Sequence, residues 1–253
     1  MKSMETTVYG KWIMIGEHAA VRGKPALVFP LLARSLHLRF LDNGEPLSVE
    51  FEGTHGEEMR LLFWGVIEKA FEMTGHSRRE STGQFILSST IPVGAGLGAS
   101  ATLCVAIGRW FFEKGWVKEP ELLEFCRQLE NLFHGESSGL DVAVALYGKG
   151  LHYERGGDIL PIQPLWSPNW YISYSGKRGV TSECIARVRE LWAKDSALGE
   201  KIDLDMHEAV LAAERSLLTE YSEKAFDELA DAIHKARSCF EHWGLAGGEM
   251  GQH

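Results

Sequence analysis

The sequence lacks the features by which several classes of protein are recognised. Its four cysteines are scattered, with no CxxC pair and no metal-ligand spacing, which favours buried thiols in a reducing compartment over a zinc site or a disulfide framework. Basic residues are scarce: 26 Lys and Arg stand against 35 Asp and Glu, a formal net charge of −9. A protein of this charge is poorly suited to nucleic acid or an anionic membrane as partner. Signal-peptide and membrane-spanning segments are also missing, so we expect a cytoplasmic protein.

A further absence concerns the glycine-rich stretch IPVGAGLGASAT, Ile91–Thr102. No Lys or Arg occurs between Arg79 and Arg109, which excludes the P-loop and its lysine, and the GxGxG spacing excludes the dinucleotide fingerprint GxGxxG. The stretch nevertheless follows a predicted strand and precedes a predicted buried helix. Backbone N–H groups at such a helix N-terminus form an anion site, usually for phosphate, although glycines here could also serve only tight packing.

Without a lysine, the charge of a bound triphosphate must be met by another group. We expect Mg²⁺ in that role, with the hydroxyl of Ser100 as one ligand and a carboxylate from another element as a second.

Hydrophobic periodicity predicts an α+β protein, because strand-rich and helix-rich runs segregate along the chain. The proline-bearing segment Asp158–Pro168 is interpreted as a connection between two halves. The predicted strands are Trp12–Gly16, Pro25–Ala33, Ser35–Leu41, Phe85–Ile91 and Asn169–Gly176. The predicted helices include Arg60–Thr74, with Leu61 and Trp64 on its apolar face, and also Ser100–Phe112, a helix opened by Pro120, Asp141–Leu146 and Ser222–Trp243.

Two carboxylates stand out in LENLFHGESSGLDVAV, Leu129–Val144. Glu130 borders the apolar face of its helix, where it is either a solvated rim residue or a costly buried acid that binds a cation. Asp141 begins a helix, where it either completes a capping box with Ser138 or acts on a substrate hydroxyl.

The same segment contains GESSG, residues 135–139, which matches the GxSxG nucleophile elbow of serine hydrolases. That elbow needs a strand before its serine, and here a helix is predicted. A hydrolase would depend on Ser137, whereas a kinase is expected to tolerate Ser137→Ala.

The N-terminal strand is flanked by groups that could carry chemistry. Lys11 precedes it, and Glu17 and His18 follow it in a turn after Gly16. A lysine at such a position is otherwise a solvated strand end.

Three stretches resemble the motifs of the mevalonate kinases in the GHMP kinase superfamily. GKWIMIGEHAAVRGKPAL (residues 10–27) is similar to the first motif, PVGAGLGASAT (92–102) to the second, phosphate-binding motif, and HGESSGLDVAV (134–144) to the HGxxSGxDxxV segment. The resemblance implies a two-domain GHMP kinase fold. A ribosomal S5 domain 2-like domain would cover residues 1–164, and a ferredoxin-like domain would cover 165–253. We expect the second domain to be shortened, because the family's third glycine-rich motif and final strand are not found.

The resemblance also implies an activity, namely the ATP- and Mg²⁺-dependent phosphorylation of the 5-hydroxyl of mevalonate. By position, Asp141 matches the catalytic aspartate and Lys11 the lysine beside it, while Glu17, His18 and Thr181 match acceptor-binding residues. Ser100 and Glu130 match the Mg²⁺ ligands, and the phosphate-binding stretch comprises Gly94, Ala95, Gly96, Leu97, Gly98, Ala99 and Ser100.

Some positions depart from the family pattern, and alternatives stay open. Ala99 replaces a serine, Ser137 a common proline, Val142 a common asparagine and Arg22 a frequent aromatic residue. The alternatives are another GHMP small-molecule kinase and a non-catalytic homologue that binds nucleotide or isoprenoid diphosphate. A homodimer is compatible with either, and neither nucleic acid nor membrane is an expected partner.

Overall fold

A computed structural model describes residues 3–53, 55–135, 137–172 and 181–245, and its mixture of strands and helices confirms the α+β class. The chain packs as two compact units that alternate along the sequence: Met1–Trp12 with Pro30–Gly148, and Ile13–Phe29 with Lys149–His253. The strands are β1 Ser3–Ile15, β2 Ala26–Pro46, β3 Ser48–Glu52, β4 Thr82–Ser89, β5 Leu151–Tyr153 and β6 Ile159–Pro161. The helices are α1 Arg60–Thr74, α2 Ala99–Glu113, α3 Leu122–His134, α4 Leu140–Tyr147, α5 Thr181–Lys194, α6 Ser196–Leu217 and α7 Glu223–His242.

The first unit packs α1 to α4 with β-structure. Within it β2 pairs antiparallel with β4, β4 pairs parallel with β3, and β1 pairs with β2. Trp110 of α2 lies at the centre of the core, with ring-centroid distances of 5.2 Å to Phe40 and 5.0 Å to Phe85. Since α2 is apolar on almost every side, burial among these neighbours holds it in place, and its N-terminus carries the glycine-rich stretch.

The second unit combines a short ladder with α5 to α7. Residues 26–28 of β2 pair with β5, and β5 pairs with β6. Helices α6 and α7 pack on each other, and their buried faces include Met206, Val210 and Leu229. The indole N–H of Trp166 donates to the carbonyl of Ser216 at 3.0 Å and so ties the segment after β6 to the end of α6.

Several details differ from the sequence-based prediction. The N-terminal strand begins at Ser3 rather than at Trp12, so Lys11 lies within β1 and does not precede it. The two strands expected over 25–33 and 35–41 form one strand, β2. The strand expected over Asn169–Gly176 is wrong for residues 169–172, which have no regular secondary structure, while residues 173–176 lie outside the described part. Leu61 is 86% exposed, because the buried stripe of α1 starts at Phe63, and two residues turn a helix by about 200°. The domain division after residue 164 stays a prediction.

Among the described helices, none has both the length and the apolar character that crossing a membrane would require.

In the second unit, Arg22 binds a buried carboxylate. Its Nε and Nη2 donate to the two oxygens of Asp203 on α6, both at 2.5 Å, and the Asp203 side chain is 2% exposed. The guanidinium group also lies 5.4 Å from the ring centre of Trp192 and 5.9 Å from that of Trp243. This bidentate, partly stacked geometry ties the turn after β1 to α6.

We expect Arg22→Met to lower the free energy of unfolding by about 3 kcal/mol, since it leaves the buried carboxylate of Asp203 without its cation. Urea unfolding followed by tryptophan fluorescence measures the loss. Arg60→Met is the matched control, because Arg60 makes the same two-pronged contact with Glu57 at an exposed site and also lies over an aromatic ring. That variant should change stability little. Equal losses in the two variants would contradict a special role for the Arg22 pair.

Candidate functional site

The glycine-rich stretch forms a turn that leads directly into α2. Gly94, Gly96 and Gly98 all adopt left-handed backbone angles, with φ of 81°, 74° and 79°. Gly98 is the N-cap of α2 and offers no side chain, and the first turn of the helix contains no acidic residue. The positive end of the helix dipole is therefore not offset by a nearby carboxylate of the helix itself, which is the condition for an anion site.

Lys11 holds this turn against β1. Its backbone N–H donates to the carbonyl oxygen of Leu97 at 3.0 Å. A Cβ added at Gly98 would lie 2.9 Å from Cγ of Lys11, and one at Gly10 would lie 3.0 Å from the Leu97 carbonyl oxygen. The glycines at positions 10 and 98 therefore allow a close approach of turn and strand that larger residues would prevent.

The side chain of Lys11 makes an ion pair with Asp141. Its Nζ lies 3.1 Å from Oδ1 of Asp141, and the lysine is 6% exposed. Asp141 lies in the first turn of α4, whose N-cap is Gly139 rather than Ser138. One oxygen of its carboxylate is directed to the ammonium group of Lys11.

Arg109 joins the two elements that carry this ion pair. Its Nη1 donates to Oγ1 of Thr6 on β1 at 2.8 Å, and its Nη2 donates to the carbonyl of Leu146 near the end of α4 at 2.9 Å. Burial lowers the pKa of Arg109 from its ordinary value. The arginine was not among the predicted site residues, since nothing in its local sequence shows contacts with segments so far away in the chain.

Glu130 on α3 is a buried acid rather than a solvated rim residue. It is 2% exposed. Burial, with the negative charge of Asp141 as a second cause, raises the pKa of Glu130 from 4.5 to about 8, although Ser137 and Lys11 act in the opposite direction. Its Oε1 has no hydrogen-bond partner among the residues that the structure describes. A carboxylate oxygen in this state is suited to a cation.

Glu130 lies close enough to α2 for its charge to act on a side chain of that helix. The charge of Glu130 contributes to raising the pKa of the buried Cys104 thiol, which lies one helical turn after Ser100. Within the described residues, no cluster of three or more His, Cys, Asp or Glu could hold a metal ion. One carboxylate, from Glu130, and one hydroxyl, from Ser100, form a donor set that fits Mg²⁺, because this ion often takes only one or two protein ligands and completes its shell with water and phosphate oxygens.

Ser137 is a residue of the site whose role was not predicted. Its hydroxyl donates to Oε2 of Glu130, and the residue as a whole is 5% exposed. It follows α3 rather than a strand, so the GESSG segment does not form the nucleophile elbow of a serine hydrolase.

The predicted acceptor-binding residues lie in the second unit. His18 has a left-handed φ of 65° and makes edge-on contacts with the rings of Phe240 and Trp243 at 5.6 and 6.0 Å. Glu17 is exposed. Thr181 begins α5, but its side chain lies outside the described residues. The roles of these three residues stay predictions.

Several known proteins are similar to this chain over most of its length. Residues 62–149 match the GHMP kinases N terminal domain. The mevalonate kinase of Thermococcus onnurineus is 30% identical over 235 residues, which cover 83% of this chain and 69% of that protein. The structure of the L. major mevalonate kinase, solved in complex with R-mevalonate, matches this one with a TM-score of 0.75 at 18% identity. The matched region covers 95% of this chain and 76% of the L. major chain. The Methanococcus jannaschii mevalonate kinase has a TM-score of 0.69 at 15% identity, covering 99% and 82%. The two solved structures share this fold.

Gly98→Ala should destabilise the chain more than Gly96→Ala. Both alanines would have to adopt a left-handed conformation, at a cost of about 1 kcal/mol each. At Gly96 an added Cβ meets nothing within 4 Å, whereas at Gly98 it meets Lys11. We therefore expect a further loss of about 1 to 2 kcal/mol at Gly98, measured by urea unfolding. Equal losses at the two positions would contradict the close approach of the turn to Lys11.

The raised pKa of Glu130 predicts a pH-dependent stability in metal-free buffer. Between pH 4.5 and about 8, the unfolded chain loses the Glu130 proton while the folded chain keeps it, so the folded state binds more protons. Stability should therefore fall by about 5 kcal/mol as pH rises through this window and level off above it.

Glu130→Gln should remove this dependence when unfolding is measured by urea titration in EDTA at pH 5, 6.5 and 8. Glu124→Gln, on the same helix, is the control: the pKa of Glu124 is lowered by Arg127, so it is charged throughout this range. The assignment fails if the wild type and Glu130→Gln lose stability with the same slope.

Proposed function

This chain belongs to the mevalonate kinase family of the GHMP kinases, and from that premise we propose that it transfers the γ-phosphoryl group of ATP to the 5-hydroxyl of mevalonate, giving 5-phosphomevalonate and ADP. The observation that carries the proposal is the 3.1 Å ion pair of Lys11 and Asp141 in the unit that also holds the glycine turn. A carboxylate beside an ammonium group can orient a hydroxyl and receive its proton. The names of the curated relatives support mevalonate as the acceptor.

Asp141 acts on the acceptor hydroxyl. Its carboxylate accepts the hydrogen bond of the incoming alcohol and takes the proton as the oxygen attacks phosphorus. Lys11 pairs with Asp141 and stabilises the negative charge that develops on the attacking oxygen. The burial of Lys11 strengthens both effects, since charges interact more strongly where water is excluded.

The turn from Gly94 to Ser100 holds the phosphates of ATP. Its backbone N–H groups and the dipole of α2 stabilise negative charge without a lysine in the turn. Phosphoryl transfer depends mainly on position and on charge neutralisation, so a preformed turn attached to the strand of Lys11 meets the first requirement.

Ser100 and Glu130 would hold the Mg²⁺ that accompanies ATP. The buried Oε1 of Glu130, which lacks a hydrogen-bond partner within the described residues, supports this assignment. When bound, the ion neutralises charge on the phosphate oxygens. Glu17, His18 and Thr181 remain the residues we propose for binding the acceptor, on the basis of their match to the family motifs.

We expect Asp141→Asn to lower kcat by about 10² to 10⁴-fold while nucleotide binding is retained, because the amide keeps the shape of the side chain but cannot accept the proton. A coupled assay of ADP release with MgATP and mevalonate gives kcat, and titration with ADP gives the binding constant. Asp227→Asn, at an exposed position of α7, is the matched control and should behave as the wild type.

Each other outcome identifies which part of the proposal is wrong. Mevalonate-dependent turnover that does not change in Asp141→Asn would refute the catalytic base and leave the kinase assignment. Turnover with a different small alcohol or phosphate ester, and none with mevalonate, would identify another GHMP kinase. Nucleotide binding without turnover of any acceptor would indicate a non-catalytic homologue.

A further inference from the structure

The hydroxyl of Ser137 lies between the two carboxylate-bearing elements of the site, and no role has been assigned to it. It donates to Oε2 of Glu130 and accepts the backbone N–H of Gly139 at 3.0 Å. Gly139 is the N-cap of α4, the helix that carries Asp141. A single buried hydroxyl thus connects α3 to the start of α4.

The position of this hydroxyl is determined by further hydrogen bonds of the same residue. The backbone N–H of Ser137 donates to Oδ1 of Asn131 at 2.8 Å. A serine hydroxyl has one proton and two lone pairs, and one lone pair accepts the N–H of Gly139, so the hydroxyl contacts Gly139 and Glu130 at the same time. The backbone contacts of Ser137 and Gly139 therefore hold this hydroxyl beside the carboxyl group of Glu130.

The consequence for Glu130 is that its two oxygens are not equivalent. Oε2 is occupied by Ser137, whereas Oε1 has no hydrogen-bond partner in the described part of the chain. The hydrogen bond restricts rotation of the carboxylate and leaves one oxygen, Oε1, to a ligand from outside the chain. Groups that orient a metal ligand in this way usually affect metal affinity strongly.

We propose that Ser137 is a positioning residue that holds the carboxylate of Glu130 so that Oε1 can bind the Mg²⁺ of the nucleotide complex. This inference rests on the proposed function, in which Glu130 is a ligand of that ion. It replaces the expectation that a kinase tolerates Ser137→Ala.

The test compares ADP binding with and without the metal. Isothermal titration of the full chain gives the Kd of ADP in EDTA and in MgCl₂, and the ratio of the two constants measures how much Mg²⁺ strengthens binding. Ser137→Ala should lower this ratio about tenfold and leave the Kd in EDTA unchanged. A purely structural role would instead change the Kd in EDTA. Ser137→Thr, which keeps the hydroxyl, should restore most of the ratio.

Two controls distinguish the possible failures. Ser81→Ala removes another buried serine of the same unit, whose hydroxyl has no hydrogen-bond partner among the described residues, and it should leave the ratio at the wild-type value. Glu130→Gln should lower the ratio at least as much as Ser137→Ala. If Ser137→Ala does not fold, Ser137→Cys takes its place, because a thiol is a weak donor of similar size.

The outcomes separate this inference from the proposed function. A normal ratio in Ser137→Ala with a reduced ratio in Glu130→Gln overturns the role of Ser137 and leaves the metal site intact. A normal ratio in both variants overturns the metal role of Glu130, and the inference with it. A reduced ratio in Ser137→Ala that Ser137→Thr restores supports the inference.

Discussion

Lys11 connects the glycine turn to the carboxylate of Asp141 through two different parts of one residue. Its backbone N–H donates to the carbonyl of Leu97 at 3.0 Å, and its Nζ lies 3.1 Å from Oδ1 of Asp141. Because the backbone belongs to β1 and the side chain is buried, neither contact can shift far without the other. The positions of the amides that would hold a phosphate and of the carboxylate that would orient the acceptor are thus both fixed by contacts with Lys11. Phosphoryl transfer requires this, since a small error in position costs much of the rate.

Two acidic side chains lie near the ammonium group of Lys11. Asp141 is 3.1 Å from it, and Glu130 lies near enough for Asp141 to raise its pKa and for Lys11 to lower it. Burial adds a further cost for the charged form of Glu130. Folding alone does not explain why an acid should occupy this position, whereas a functional site that receives another cation does.

Elements with strong local signals could be predicted from the sequence. Helix α1 has the predicted bounds and ends at Gly75 in a left-handed conformation, and α7 begins after Ser222, whose hydroxyl accepts the N–H of Ala225. The apolar face of α1 was predicted less well. Periodicity defines an apolar stripe but does not show which edge of the stripe meets the core, and Leu61 lies outside the buried part. Residues 169–172 have the composition of a strand, yet a strand forms only where a partner strand is available, which local sequence does not show.

The candidate site could be predicted in its residue types but not in its hydrogen bonds. Glu130 was identified because a carboxylate at the edge of an apolar helix face is costly unless it is paired or bound to a cation, and Lys11 and Asp141 were identified by their match to the mevalonate kinase motifs. Ser137 was not, since it lies beyond the end of α3, where helical spacing no longer predicts a contact with Glu130. The GxSxG pattern instead suggested that Ser137 could be the nucleophile of a serine hydrolase. A nucleophilic serine needs an exposed oxygen and a base that receives its proton, whereas this hydroxyl is buried, donates to a carboxylate and accepts the N–H of Gly139. Its surroundings therefore make the side chain a hydrogen-bond donor to Glu130 rather than a nucleophile.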